Sequence, residues 1–138
     1  MKRLAALLFG LSVVAAMLSA TGPAAAVDST VSGSVTSANG PVTSGYAVLY
    51  RNCKAYANSD ATGSFEIVAG TYEASVPDGT YYVLIDPDAG AKALRSWNGA
   101  KSTCDKSATV EVAGDSNTLN PTATAATEVT GLVMGESV

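Results

Sequence analysis

The chain has 138 residues and no histidine, and its formal charge of -4 comes from twelve acidic side chains against eight basic ones. Without histidine there is no Ser-His-Asp or Cys-His nucleophile, no His-ligated zinc and no HExxH helix, so catalysis would fall to carboxylate pairs or lysine. The acidic balance also argues against nucleic acid, whose phosphates are bound by clustered Lys and Arg.

In chain order, Lys2-Arg3 precedes the apolar run LAALLFGLSVVAAML and small residues ending in Ala24-Ala25-Ala26. That is the order of a secretory signal, and the run is too short to read as a membrane span. Residues 1–26 are therefore expected to be cleaved, leaving a mature chain from Val27 with six basic and twelve acidic residues, a charge of -6. The expected product is secreted and extracellular, with no membrane association after cleavage.

A mature length near 110 residues fits one domain with a limited core, which a covalent staple would help. Cys53 and Cys104 are the only cysteines. In an oxidising compartment they are expected to pair as a structural disulfide, and without a CxxC spacing or a third ligand they do not read as a metal site.

The mature sequence runs as short strand-like patches separated by Gly, Asn, Asp and Pro, with no helical period. The patches are TVSGSVT (30–36), GYAVLYR (45–51), KAYAN (54–58), GSFEIVA (63–69), TYEASV (71–76), TYYVLID (80–86), ATVEVA (108–113) and a weaker LNPTATA (119–125). Tyr46, Val48 and Tyr50 share one face of their strand. In TYYVLID both faces are largely apolar, which suits a central strand. Asn39-Gly40-Pro41, Asp60-Ala61-Thr62-Gly63 and Pro77-Asp78-Gly79 read as turns, each joining a turn-tolerant residue to a glycine. About seven strands of this kind define an all-β fold, a single Greek-key-like β-sandwich.

VSGSVT with its Gly-Pro turn, GYAVLY, SDATGSFEI and PDGTYYVLI together resemble the carboxypeptidase regulatory-like domain family. The resemblance aligns Val31, Gly33 and Val35 on a first strand, Asp60, Gly63 and Phe65 at a central turn, and Gly79 and Tyr81 at a later hairpin. It covers 31–125, and SWNGAKSTCDKSATVEVAGD resembles the family's tryptophan loop and following strand. It implies a prealbumin/transthyretin-like sandwich and a non-catalytic accessory, adhesive or carbohydrate-binding-like module. AGTYEASVPDG departs from the family pattern by adding a strand-like segment with no evident place. The related collagen-adhesin B-type repeats carry a Lys-Asn isopeptide bond. TVSGSVT has no lysine and Lys54 adjoins Cys53, so no isopeptide residues are carried over.

Two groups are candidate sites. Trp97, the one tryptophan, stands beside Arg95 and Asn98 in a polar segment, where an exposed indole could stack on a sugar ring while its neighbours bond the hydroxyls. The competing reading folds Trp97 over the sandwich end as core. Asp78, Asp86 and Asp88 are calcium candidates if one edge gathers their carboxylates, although they have no EF-hand spacing and aspartate commonly caps turns. Asp60 in DATGSFE reads as a turn on the same grounds. No cofactor is expected.

Residues 27–126 form the expected domain, and 127–138 a tail in which Glu128–Met134 repeats the pattern of Thr30–Thr36, like the first strand of a second copy. The sequence thus favours a non-catalytic module for extracellular or cell-wall carbohydrate, starch-binding-like, or for a surface protein. A structural or adhesin-type domain, or a fragment of a tandem-repeat protein, is the alternative, and a small carboxylate-based glycosidase comes third. The expected state is a monomer, or weak self-association through the C-terminal strand.

Overall fold

The computed structural model describes residues 28–127. The expected signal and the 128–134 repeat lie outside the described residues. The elements are β1 (Asp28–Ser34), β2 (Thr36–Ser37), β3 (Gly40–Pro41), β4 (Ser44–Tyr50), α1 (Cys53–Ala57), β5 (Gly63–Val68), β6 (Thr71–Pro77), β7 (Gly79–Pro87), β8 (Ala93–Leu94), β9 (Ser96–Trp97), a 3-10 turn (Cys104–Lys106), β10 (Thr109–Val112), β11 (Ser116–Thr118) and β12 (Thr124–Ala125).

Seven strands follow the order β10-β7-β4-β5-β6-β1-β11, and β9 joins the edge of β7 that β10 leaves open. The pairs are antiparallel apart from β1–β11, which is parallel. Between β5 and β6 only Val68 and Thr71 pair, and the ribbon curls over there. Ala69 and Gly70 form the two-residue connection, both with positive φ (50° and 85°), the geometry that follows the right-handed strand twist. This turn gives TYEASV its place: it is β6, antiparallel to β1 along the whole of β1.

The curl brings two inner faces together. Val31 of β1 and Tyr72, Ala74 and Val76 of β6 pack in one buried cluster with Ala47 and Leu49 of β4, Ile67 of β5, and Tyr81, Val83 and Ile85 of β7. Strand alternation explains the selection, since i, i+2 and i+4 line one side of each strand. The molecule is an all-β sandwich, as expected, with β1, β4, β5, β6, β7 and β10 where the strand-like patches stand.

The other face of β4 and β7 carries a second, smaller core of Tyr50, Leu84, Trp97 and Cys104, with Val48, Cys53, Ala55 and Tyr82 against it. Here the KAYAN expectation is corrected, because Cys53–Ala57 is a short helix and not a strand. Asn52 explains the difference: in extended conformation, its side-chain oxygen accepts from Ala55 N at 2.8 Å and caps the helix start. The Cys53–Cys104 disulfide, with Cα atoms 5.7 Å apart, ties this helix to the Cys104–Lys106 turn. The pair therefore staples a flap over half of the outer sheet face.

Candidate ligand-binding face

The β4 register positions the outer face. Tyr46 pairs with Glu66 of β5 on one side and Asp86 of β7 on the other. Facing residues in register project to the same side, so the phenol stands between two carboxylates, roughly 5 Å of strand spacing from each. Toward Tyr50 this face is closed by the stapled flap; toward Ser44 it is open. Tyr46 is 46% exposed, and Val68, two residues beyond Glu66 on β5, is 59% exposed.

Arg95 completes the patch. It lies just before β9 on the far side of β7, and its Nε is 3.7 Å from Asp86 Oδ1, with both side chains about half exposed. An ion pair so exposed adds little to stability. It does orient a guanidinium edge toward Asp86, the β7 partner of Tyr46. Beyond Arg95 lies an open cleft of about 1010 Å³, lined by Asp88, Lys92, Leu94 and Arg95 on one side and Asn39 and Ala126 on another.

Of the two readings of Trp97, the structure shows the buried one, not the exposed sugar platform. The side chain is 3% exposed, so a sugar ring has no open indole face on which to lie. Tyr56 of α1 meets the indole edge-on at 4.9 Å, and Tyr50 lies 5.8 Å from the indole and 5.4 Å from Tyr56, so the three rings form one cluster. Burial of Tyr50 and Trp97 beneath the half-exposed Tyr56 explains the placement, since aromatics contribute large apolar areas and favour such edge contacts. Burial, and next the neighbouring Tyr56, raises the Tyr50 phenol above its usual value.

Asn98 is likewise engaged in the fold. Its Nδ2 donates to Ala108 O at 3.2 Å and its Oδ1 accepts from Thr122 N at 3.1 Å, tying the β9 loop to the chain before β10 and to the C-terminal segment. Of the three residues proposed around the tryptophan, Arg95 alone stands at an exposed surface, paired with Asp86.

The three calcium candidates are not brought together. Asp78 lies just before β7, Asp86 near its end and Asp88 just beyond it, which puts Asp78 about 26 Å from Asp86 at the rise of an extended strand. Asp78 accepts from Ser29 Oγ and, at 3.3 Å, from Gly114 N, and these two bonds hold its carboxyl below the usual carboxylate range. Asp86 faces Arg95. Asp88 lines the cleft, and its backbone N–H donates to Ser44 O at 3.2 Å. Among the described residues no three acidic or cysteine side chains group to hold a metal ion.

Sequence reasoning missed Tyr46 and Glu66 as site residues. The alternation of GYAVLYR put Tyr46 on the face of Val48 and Tyr50, but which part of that face is covered depends on the flap. The helix that covers it was read as a strand.

The protein is thus an all-β sandwich with a half-covered outer face. No family model and no curated protein matches the chain. Among solved structures it is similar to a DUF3823 family protein from Parabacteroides merdae, with 20% identity and a TM-score of 0.51 over 73% of this chain and 48% of that one. A DUF3823 family protein from Bacteroides ovatus aligns at 15% identity and a TM-score of 0.47, over 71% of this chain and 45% of that one. The aligned part spans about half the length of these proteins. The first likeness shows the fold.

Proposed function

We propose that this chain is a secreted, non-catalytic β-sandwich module that binds extracellular or cell-wall carbohydrate on the open face around Tyr46. The observation that carries the reading is the exposed Tyr46 ring, held by a central strand between Glu66 and Asp86. A ring on a paired strand offers a sugar an apolar face at little entropic cost, and carboxylates beside it accept from the sugar hydroxyls. Arg95 supplies donors to the same ring. The resemblance of the strand motifs to the carboxypeptidase regulatory-like domain supports a binding module over an enzyme. The signal-like 1–26 segment and the disulfide support export.

The face is shallow, with one exposed aromatic ring, so it grips one sugar unit and the affinity of a single module is low. A protein surface is the second reading, favoured by Val68 and Leu94, which are exposed at either flank of the patch.

The test is retention of the exported chain on insoluble starch, chitin and peptidoglycan. Tyr46→Ala abolishes retention on the polymer that binds, and Lys101→Ala, on the β9 loop away from the patch, leaves it unchanged. Equal retention of wild type and Tyr46→Ala on every polymer refutes the site.

A further inference from the structure

A turn on the rim of the cleft carries a chemistry that does not involve the Tyr46 ring. Ala38 and Asn39 connect β2 to β3, where Ser37 pairs with Gly40. The Asn39 side chain reaches out of the turn, and its Nδ2 donates to two backbone carbonyls, Lys92 O at 3.2 Å and Ala126 O at 2.6 Å. Lys92 O also accepts from Ala126 N at 3.1 Å. These carbonyls adjoin the β8–β12 pair, which consists of just two residue pairs, Thr124 with Leu94 and Ala125 with Ala93. A single carboxamide thus latches the β2–β3 hairpin to the last strand pair at the mouth of the cleft.

We propose that Asn39 is a site of spontaneous covalent modification, in which the backbone nitrogen of Gly40 closes on the Asn39 side chain and the latch is lost. The Gly40 nitrogen attacks Cγ, an N–Cγ bond forms, the Cγ–Nδ2 bond breaks, and Nδ2 leaves as ammonia with the former Gly40 amide proton. Water then opens the five-membered imide at either carbonyl, leaving aspartate or its β-linked isomer at position 39. One water enters and one ammonia leaves, with no oxidant or reductant.

The local structure favours this residue. Asn39 is exposed and Gly40 has φ +107°, and a glycine at the attacking position carries no side chain to hinder ring closure. Asn98-Gly99 is an internal comparison with the same dipeptide. There the carboxamide is clamped at both ends, by Thr122 N and Ala108 O, while Asn39 Oδ1 has no partner among the described residues. Asn39 therefore reacts first. The product places a carboxylate oxygen where a donor stood between two carbonyl oxygens, so two hydrogen bonds become repulsive contacts.

The test is peptide mass mapping of the full chain during prolonged incubation in warm, mildly alkaline buffer, with backbone amide exchange followed in parallel. The peptide containing Asn39 gains the mass of an amide-to-acid conversion and splits into two isomeric species before the Asn98 peptide changes. Asn39→Gln, whose ring closure would need a six-membered imide, stays unconverted. Asn39→Asp, made directly, speeds exchange at the Ala126 amide by about tenfold, the factor expected for two lost bonds of modest net worth. Conversion of Asn98 before Asn39, or an Asn39→Asp protein with unchanged exchange at Ala126, overturns the proposal.

Discussion

Ser29 donates its hydroxyl to Asp78, a residue 49 positions away, and this bond joins the start of β1 to the β6–β7 turn. Ser29 is itself buried, and Gly114 N donates to the other Asp78 oxygen, so two hydrogen bonds hold three separate segments together at one carboxylate. The bonds favour the charged form and lower the Asp78 pKa from its ordinary 3.8, the Ser29 bond most. A lowered folded-state pKa gives stability that is complete above 3.8 and fades as pH falls through the folded value. Ser29→Ala should therefore be less stable than wild type at neutral pH, with the gap narrowing below pH 3.8. Urea denaturation across that range checks this, and a gap independent of pH would assign the loss to packing.

The disulfide should act on the aromatic flap more than on the main core. Replacing Cys53 and Cys104 by Ser frees the 51-residue loop between them, which on the chain-entropy model costs roughly 4 kcal/mol. Tyr56 then no longer sits against Trp97. Tryptophan emission should shift to the red at denaturant concentrations where the backbone signal of the sheet persists. Coincident loss of both signals would show that flap and sandwich unfold as one unit.

Gly33 is a steric requirement of the β1 position. A Cβ there would lie 1.9 Å from Leu119 O, and Tyr72 donates its hydroxyl to that same carbonyl at 3.0 Å. Burial pushes the Tyr72 phenol up to about 12, so it remains a donor across the ordinary pH range. Gly33→Ala must displace the 119–121 segment and should destabilise by about 1–3 kcal/mol, the usual cost of overpacking. Thermal denaturation measures it, and an unchanged midpoint would mean that this segment yields freely.

Tyr46 and Trp97 should separate binding from stability. Trp97→Ala removes a buried ring and should cost about 3–5 kcal/mol. Tyr46→Ala removes a half-exposed ring and should cost less than about 1 kcal/mol while abolishing polymer retention. Comparable destabilisation by the two would place Tyr46 in the core and remove the argument for a presented surface.

Much of the sandwich was legible because strand alternation is local. TYYVLID is apolar on both faces, and β7 does bury both, with Tyr81, Val83 and Ile85 in the main core and Leu84 in the second. The disulfide followed from two cysteines and the oxidising compartment that the signal-like 1–26 segment leads one to expect. The flap was not legible, because KAYAN has too few residues to show a period and its helix depends on one cap at Asn52. Trp97 sits among polar neighbours in sequence and is buried by residues some 40 positions earlier, Tyr50 and Tyr56, a long-range relationship that local polarity does not reveal. The three aspartates looked adjacent in sequence, and the extended β7 separates them to opposite ends of the sheet.

The most direct measurement of the central claim is NMR chemical-shift mapping of residues 27–138 with soluble oligosaccharides of whichever polymer retains them. Perturbations should cluster at Tyr46, Glu66, Asp86 and Arg95, with the Trp97 indole N–H unmoved. Perturbations centred on Trp97 and Asn98, or none at Tyr46 at saturating sugar, would contradict it.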